Sequence, residues 1–510
     1  MPLNDRPQRK AARKSREKLV EYPNTFHCRL TNTRVMSRTS SLFPKVRFRR
    51  PKPNAINVLP EELFVFIFQT VCGPENMTLS DPFTSALVLT SVCRVWRNIA
   101  LRVPKLWTYI HLELKWDRET MTEFWMTIRP RAGLVPVVLI LHDDEDRGFE
   151  DVEIVECMNE WLKDDKLSIK LVSILVCKTA ENPLSLPLYL SAFTRPVDSV
   201  RIHSPPKQIS FLNRDIWGLP QLRGSHHEVD LIEVINHLPR TQEFTIADIR
   251  LVADVALDLQ APLEDLEVLS IRTTVFDNPF SFMFEPPMQI PLRSVLSRCH
   301  KLNALELEGY ILPREEDIQV RLETLKILQV ADIDMLREIT GLEQPITLPN
   351  LETLTLYNPG HGPDMLEAYL EANPSIICLD TPWFTDIDTV SRHLPLLQEW
   401  DIEDPTGLDM LYSSKDDGKT WRLPNLRSLS LFFADVAVQL DELEQLIYTR
   451  MWRRDVPESV ITLEDLTVRV ARVHNPMIDL ERLFKLDIHD FAEEKTTNPT
   501  FIEFVWTSDR

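Results

Sequence analysis

The residues able to do chemistry in this chain are sparse and poorly spaced for it. Its seven cysteines (Cys28, Cys72, Cys93, Cys157, Cys177, Cys299, Cys378) are scattered and odd in number. No CxxC pair occurs, so neither a disulfide framework nor a structural zinc site is supported. They read as small apolar residues kept reduced. Of the histidines, His226 and His227 are adjacent and diverge on any element, and Cys299-His300 has no second pair. His203, His237, His393, His474 and His489 lack ligand spacing, and His361 lies in the turn Pro359-Gly360-His361-Gly362-Pro363. Glycine is scarce, at 11, and there is no GxGxxG, Walker loop, GxSxG or HExxH. Carboxylate pairs such as Glu315-Glu316 carry no information in so acidic a chain. No catalytic residue, metal site or cofactor is therefore expected, and the chain reads as a binding protein rather than an enzyme.

What binds must then be found in the elements. The stretch from Leu59 to Trp107 reads as two short amphipathic helices. Pro60 stands where a helix tolerates proline, and Glu61 and Glu62 follow where the helix dipole favours anions. Leu63, Phe64, Ile67, Phe68 and Val71 recur at helical spacing and predict one wide apolar face. A second helix is expected from Ser80-Asp81-Pro82, with Leu89, Val92, Cys93, Trp96 and Ala100 on its apolar face. Pro104 closes the unit, and Leu106-Trp107 is expected to pack back on it.

This ordered set resembles the F-box motif: Leu59-Pro60 with Glu62-Leu63, then Ile67-Phe68, then Leu89, Val92-Cys93 and Val95-Trp96-Arg97, then Leu106-Trp107. The likeness covers about a tenth of the chain, and the Cys72–Ser85 connection is longer than the compact motif has. Insertions of that kind occur in the large fungal group of F-box proteins that the chain looks like. The resemblance implies docking on a Skp-family adaptor, and through it on a cullin, by Leu59, Pro60, Leu63, Ile67, Phe68, Leu89, Val92, Cys93, Trp96, Leu106 and Trp107. The bare physical reading is a helix pair that caps the next domain.

Charge divides the chain. Residues 1–53 hold fifteen Lys or Arg against three acids, a net of +12, so the remainder of a chain of net charge −20 carries −32. An acidic body repels the phosphate backbone and is a poor nucleic-acid binder. The basic arm is expected to be disordered. It suits a nuclear import receptor or an anionic surface, or is only a solvated tail; a mitochondrial presequence fits an F-box protein badly. It has no apolar core of a secretory signal, and no apolar run approaches a membrane span. A cytoplasmic or nuclear location follows, which leaves the sequon Asn76-Met77-Thr78 without use.

The body, 510 residues being too long for one compact core, reads as a repeat array. After a linker-like strand at Tyr109–Leu114 and a buried strand at Val135–Leu141 comes the acidic loop Asp143–Asp146, a solvated edge. A helix at Trp161 and a strand at Leu171–Val176 follow. Short strands then recur at 196–202, 238–246, 263–271, 302–307, 322–327, 348–356, 374–379, 394–402, 423–431 and, as the last, 463–468. Helices are expected between them at 229–238, 333–339, 365–370, 387–394 and 440–448. The unit of helix, LPxL entry and LxxLxL strand resembles a leucine-rich repeat, with wandering spacing and without the asparagine that usually follows the strand. A two-layer α/β domain with a mixed sheet is the alternative.

The expected fold is thus α/β: a basic arm over residues 1–53, a short N-terminal helical F-box domain over 54–113, and an irregular leucine-rich-repeat-like solenoid over 114–510. The aromatic segment 480–510 would cap its end. The resemblance implies a substrate-recognition subunit of a Skp–cullin–F-box ubiquitin ligase. The alternative is a protein-interaction scaffold without ligase function. Outward strand residues Glu306, Lys326, Glu352, Thr353, Thr355, Arg427, Ser428 and Ser430 are the candidates to hold an unnamed protein substrate, with a basic partner favoured by the acidic body.

Overall fold

A computed structural model describes residues 59–72, 82–114, 116–142, 151–163, 167–176, 186–203, 228–247, 250–252, 259–261, 263–272, 288–308, 311–313, 318, 320, 322–330, 335, 348–357, 363–381, 386–403, 405, 407–413, 421–433, 440–451, 457, 459–471 and 501–507. The basic arm, the sequon, the acidic loop 143–146, His226, His227, His361 and most of the helix expected at 333–339 lie outside these residues. Two compact units are present, Met1–Pro60 and Glu61–Arg510. Of the first, only Leu59 and Pro60 are described, and both are exposed.

The second unit opens with α1 (Glu61–Val71), α2 (Pro82–Val92), α3 (Arg94–Ala100) and a 3₁₀ turn at Pro104–Trp107. The rest alternates strands and helices. The strands are β1 (Tyr109–Glu113), β2 (Val137–His142), β3 (Ile169–Leu175), β4 (Ser199–His203), β5 (Glu228–Asp230), β6 (Glu243–Ala247), β7 (Arg250–Val252), β8 (Val268–Arg272) and β9 (Met288–Ile290). They continue as β10 (Ala304–Glu308), β11 (Ile311–Pro313), β12 (Ile327–Val330), β13 (Thr353–Leu356), β14 (Cys378–Asp380), β15 (Glu399–Glu403), β16 (Ser428–Phe433), β17 (Asp465–Ala471) and β18 (Phe501–Thr507). The helices among them are α4 (Arg118–Ala132), α5 (Asp151–Trp161), α6 (Leu186–Ser191), α7 (Leu231–Asn236), α8 (Leu292–Leu296), α9 (Pro363–Ala372), α10 (Ile387–His393), α11 (Asp409–Tyr412) and α12 (Leu440–Leu446).

Fourteen strands form one sheet in the order β1-β2-β3-β4-β6-β8-β10-β12-β13-β14-β15-β16-β17-β18. Thirteen are parallel to their neighbours in chain order, and β18 closes the far edge antiparallel to β17. Parallel neighbours require a crossover, which runs through a described helix, for example, between β3 and β4 (α6), between β8 and β10 (α8) and between β14 and β15 (α10). The linker-like strand expected at Tyr109–Leu114 is the first strand of the sheet, and its alternation of half-buried and buried residues seats Ile110 and Leu112 in the core. The strand at 463–468 is not the last: β18 follows it, while 472–500 and 508–510 of the expected aromatic cap lie outside the described residues.

Parallel sheets are usually covered on both faces. Here β6, β10 and β16 alternate strictly between a buried and a half-exposed face, while β2, β3, β4, β8 and β13 also bury some side chains on the second face, such as Val138, Ser173, Ser199, Ser270 and Thr355. On the buried face Leu269, Leu305, Leu328, Leu354, Leu379, Trp400, Leu429 and Leu466 stand in register and are at most 2% exposed. The LPxL entries do not start the strands, because their backbone is used in a separate ladder. Gln242, Glu267, Asn303, Lys326, Glu352, Ile377, Gln398, Arg427 and Glu464 each donate their N–H to the carbonyl of the preceding member, beginning from Asp198. Side chains reinforce the stack. Asn350 Nδ2 donates to Glu323 O at 2.7 Å and Asn425 Nδ2 to Pro395 O at 2.7 Å. Buried Asn373 accepts from Leu348 N–H at 2.6 Å and donates to Tyr369 O at 2.8 Å.

Near the far edge Arg450 is 2% exposed and, among the described residues, pairs with backbone carbonyls: its Nη1 donates to Leu411 O and Arg422 O, its Nη2 to Leu423 O and Leu426 O, at 3.0–3.4 Å. Burial pulls its guanidinium down to about 10. The fork also pins Leu423, whose backbone is left-handed at φ 45°. Arg450→Ala, which strands these acceptors, is expected to lower the unfolding free energy by about 3 kcal/mol in urea titration. Arg450→Lys should recover little of this, since an ammonium cannot span the four carbonyls.

Candidate functional site

Two surfaces carry the residues singled out by sequence. The first is the helical region. Instead of one second helix, the chain makes α2 and α3, broken at Cys93, whose backbone is extended (φ −158°, ψ 172°) and whose Sγ caps Trp96 N–H. Arg97 Nε donates to Thr90 O at 2.8 Å across the break and holds the two pieces together.

The expected single apolar face of α1 is two faces. Phe64 and Phe68 are buried and meet Trp96 with ring centroids 6.0 and 5.1 Å away. Leu63, Ile67 and Val71, at intervals of four, are 43–47% exposed, with Phe66 at 67% beside them. Val88 and Val92 on α2, Val95 on α3 and Leu101 just beyond are exposed as well. Of the fifteen large apolar side chains exposed among the described residues, nine fall between Leu59 and Leu101. Single exposed apolar residues need no explanation, but this concentration does.

The adaptor set named from the sequence therefore divides. Leu59, Pro60, Leu63, Ile67 and Val92 are exposed, and Cys93 and Trp96 are half-buried. Phe68, Leu89, Leu106 and Trp107 are core, with Trp107 fully buried, its Nε1 donating to Ala100 O at 2.8 Å and Arg131 stacked 4.7 Å above the ring. Their place is to set the angle between the helices, not to touch a partner. Sequence reasoning missed Phe66, Val88, Val95 and Leu101, which fall off the assigned faces.

The second surface is the uncovered face of the sheet. Thr353, Thr355, Ser428, Ser430 and Glu306 do lie on it, in register with one another's strands. Thr355 is buried, however, and hydrogen-bonds the Asp380 carboxylate. Glu306 accepts from Ser270 Oγ and pairs with Arg272, both at 2.6 Å. Lys326, Glu352 and Arg427 stand one residue ahead of their strands, on the entry ladder rather than the face. There Lys326 pairs with Glu352 at 2.8 Å and Arg427 with Glu464 at 3.6 Å.

Register also brings together acids that the sequence reading passed over. Asp380 and Asp401 are direct neighbours on β14 and β15. Burial, together with the Asp401 charge, pushes the Asp380 carboxyl up, against the pull of Thr355 and Arg469. Asp401 Oδ1 is shut from solvent and accepts no hydrogen bond from any described residue. At the N-terminal end the same face carries His111 and His142, rings 5.5 Å apart, and Ser173 with His203 at 3.2 Å. Among the described residues no group of three or more His, Cys, Asp or Glu is placed to hold a metal ion. Among the described residues, too, no helix is long and apolar enough to cross a membrane. The sequence matches no protein-family model and no curated protein.

The division into core and surface is measurable. Trp107→Ala should cost about 3–5 kcal/mol of stability by urea unfolding, as a large buried aromatic does. Ile67→Ala should change it by less than about 1 kcal/mol. Asp380 gives a pH-dependent effect. Its carboxyl sits above the ordinary 3.8 in the folded state. Below that ordinary value both states hold the proton and no difference arises; at neutral pH the folded state alone bears the cost of the charge. Asp380→Asn is thus expected to raise Tm at pH 7, with the gain disappearing in acid below the ordinary carboxylate range.

Proposed function

We propose that this chain is the substrate-recognition subunit of a Skp–cullin–F-box ubiquitin ligase. In this reading α1–α3 dock on a Skp-family adaptor that carries a cullin. The stacked strands and helices form an irregular leucine-rich-repeat-like solenoid that holds a protein substrate on its uncovered face. The chain supplies proximity and no bond-making chemistry, and it works in the cytoplasm, the nucleus or both.

The observation that carries the reading is the apolar stripe Leu63, Ile67, Val71, Val88 and Val92, left exposed by helices whose other faces already pack into the continuous core. A helix pair serving only as an end cap would turn these side chains inward. At roughly 1.5–3 kcal/mol per fully buried aliphatic side chain, and with each of the five already half-covered, the patch offers about 4–7 kcal/mol on docking. That is within the range of the about 4–15 kcal/mol that association costs, and so suits one specific, well-fitted partner.

The test is co-expression of the full chain with a Skp-family adaptor followed by pull-down. The parent should retain the adaptor, and an Ile67→Asp, Val92→Asp double variant should lose it about a hundredfold or more while keeping its circular dichroism spectrum. A folded parent that retains no adaptor would leave the helices as a cap and the chain as a scaffold outside the ligase.

A further inference from the structure

All-parallel sheets normally hide both faces, so a sheet with one bare face must make that face soluble or fill it with a partner. The bare face here is unevenly built. Beyond β8 the outward positions carry Glu306 and Glu308 on β10, Asp380 on β14, and Glu399, Asp401 and Glu403 on β15. Arg272 and Arg469 lie among these acids, Arg469 acting on Asp380. Arg272 is already committed, 2.6 Å from Glu306 and 3.9 Å from Glu308.

Solubility alone does not account for this sector. A solvated face would keep its carboxylates apart and in water, whereas Asp380 and Asp401 face each other across one strand pair and are both partly buried. Two apolar side chains stand open on the same face, Ile327 at 39% and Tyr357 at 40% exposure. Ile327 is in register with Thr353 and through it with Cys378 on the acidic strand. Tyr357 feels the charges of Glu306, Glu308 and Asp380. Acids held in partial burial next to open apolar groups suit a ligand that brings both positive charge and apolar surface.

We infer that the sheet face from β10 to β15 docks a basic segment of a partner protein, whose Arg or Lys side chain meets Asp380 and Asp401 and whose neighbouring apolar side chain covers Tyr357. A guanidinium or ammonium held against the open part of the pair would offset its like charges. This rests on the reading that the sheet domain is the substrate-binding part, and it names the class of substrate segment.

The experiment uses the full chain and fluorescein-labelled short peptides of basic, acidic and neutral composition, each with one Leu or Phe, read by fluorescence anisotropy. The basic peptides should bind best, and more weakly as salt is raised. Asp380→Asn with Asp401→Asn should weaken them at least about tenfold while leaving Tm unchanged or higher. Glu156→Gln with Glu160→Gln, an equal loss of charge on the exposed side of α5, should leave binding as it was. No preference for basic peptides, or equal weakening by both double variants, overturns the proposal. Adaptor pull-down from the same samples separates the two readings. Adaptor retained without peptide preference sinks only the docking face, and peptide preference without adaptor sinks only the ligase reading.

Discussion

The structure depends on one repeated contact: a strand entry whose N–H donates to the carbonyl of the entry before it. From Asp198 through Lys326 and Glu352 to Glu464 this ladder runs ahead of the strands without a break in register. Because each rung fixes where its strand begins, it also fixes which residues face the core. A slip of one residue would turn Leu354 or Leu429 outward and bring Thr355 or Ser430 in. The leucine rows and the entry ladder therefore enforce each other, and local hydrogen bonding and long-range burial agree along the sheet from β4 to β17. Loops of very different length can be carried between rungs, since the cost of closing a longer loop rises slowly. That is why the spacing wanders while the register does not.

The same constraint explains what the bare face can become. Period-two alternation assigns every second residue to it, so its chemistry is free to vary while the core rows stay leucine-like. Side chains far apart in sequence then meet on it, as Ser270 and Glu306 do at 2.6 Å. In the helices the logic is different. Phe64 and Phe68 pack on Trp96 and into the continuous core, which releases Leu63, Ile67 and Val71 from any structural duty.

Much of this was legible in the residues, and the failures have identifiable causes. The LxxLxL runs at 263–271, 302–307, 348–356 and 423–431 located β8, β10, β13 and β16, because burial on one face forces apolar alternation. Asp386 marked the start of α10 and does cap it, accepting from Thr389 N–H at 3.2 Å. The break at Cys93 left no trace, since Leu89, Val92 and Trp96 keep helical spacing across it and a cysteine cap has no strong signal. Periodicity also cannot tell a core stripe from a docking stripe, as both are apolar: Ile67 and Phe68 read alike until one is found exposed and the other buried. Asp380 and Asp401 were invisible for another reason. They sit in the weakest repeats, CLD and EWDIE, and only the register of β14 on β15 makes them neighbours.

Lys326, Glu352 and Arg427 show why a one-residue error matters. Counting the strand from the leucine of the LPxL entry places them on the face; counting from the first ladder rung places them ahead of it, as ion pairs with the next entry. Exposed pairs of this kind add little to stability, about 0–1 kcal/mol each. Their value is in ordering the entries: a cation at 326 beside an acid at 352 favours the register that the backbone ladder already sets, and a like charge at either place would oppose it. The charged residues nearest the strands thus serve the stack itself. The face is left to residues one and three positions further on, where charge is not needed to hold the fold and a partly buried carboxylate pair such as Asp380–Asp401 works against it. An arrangement that costs stability in the free chain is best understood through what it binds.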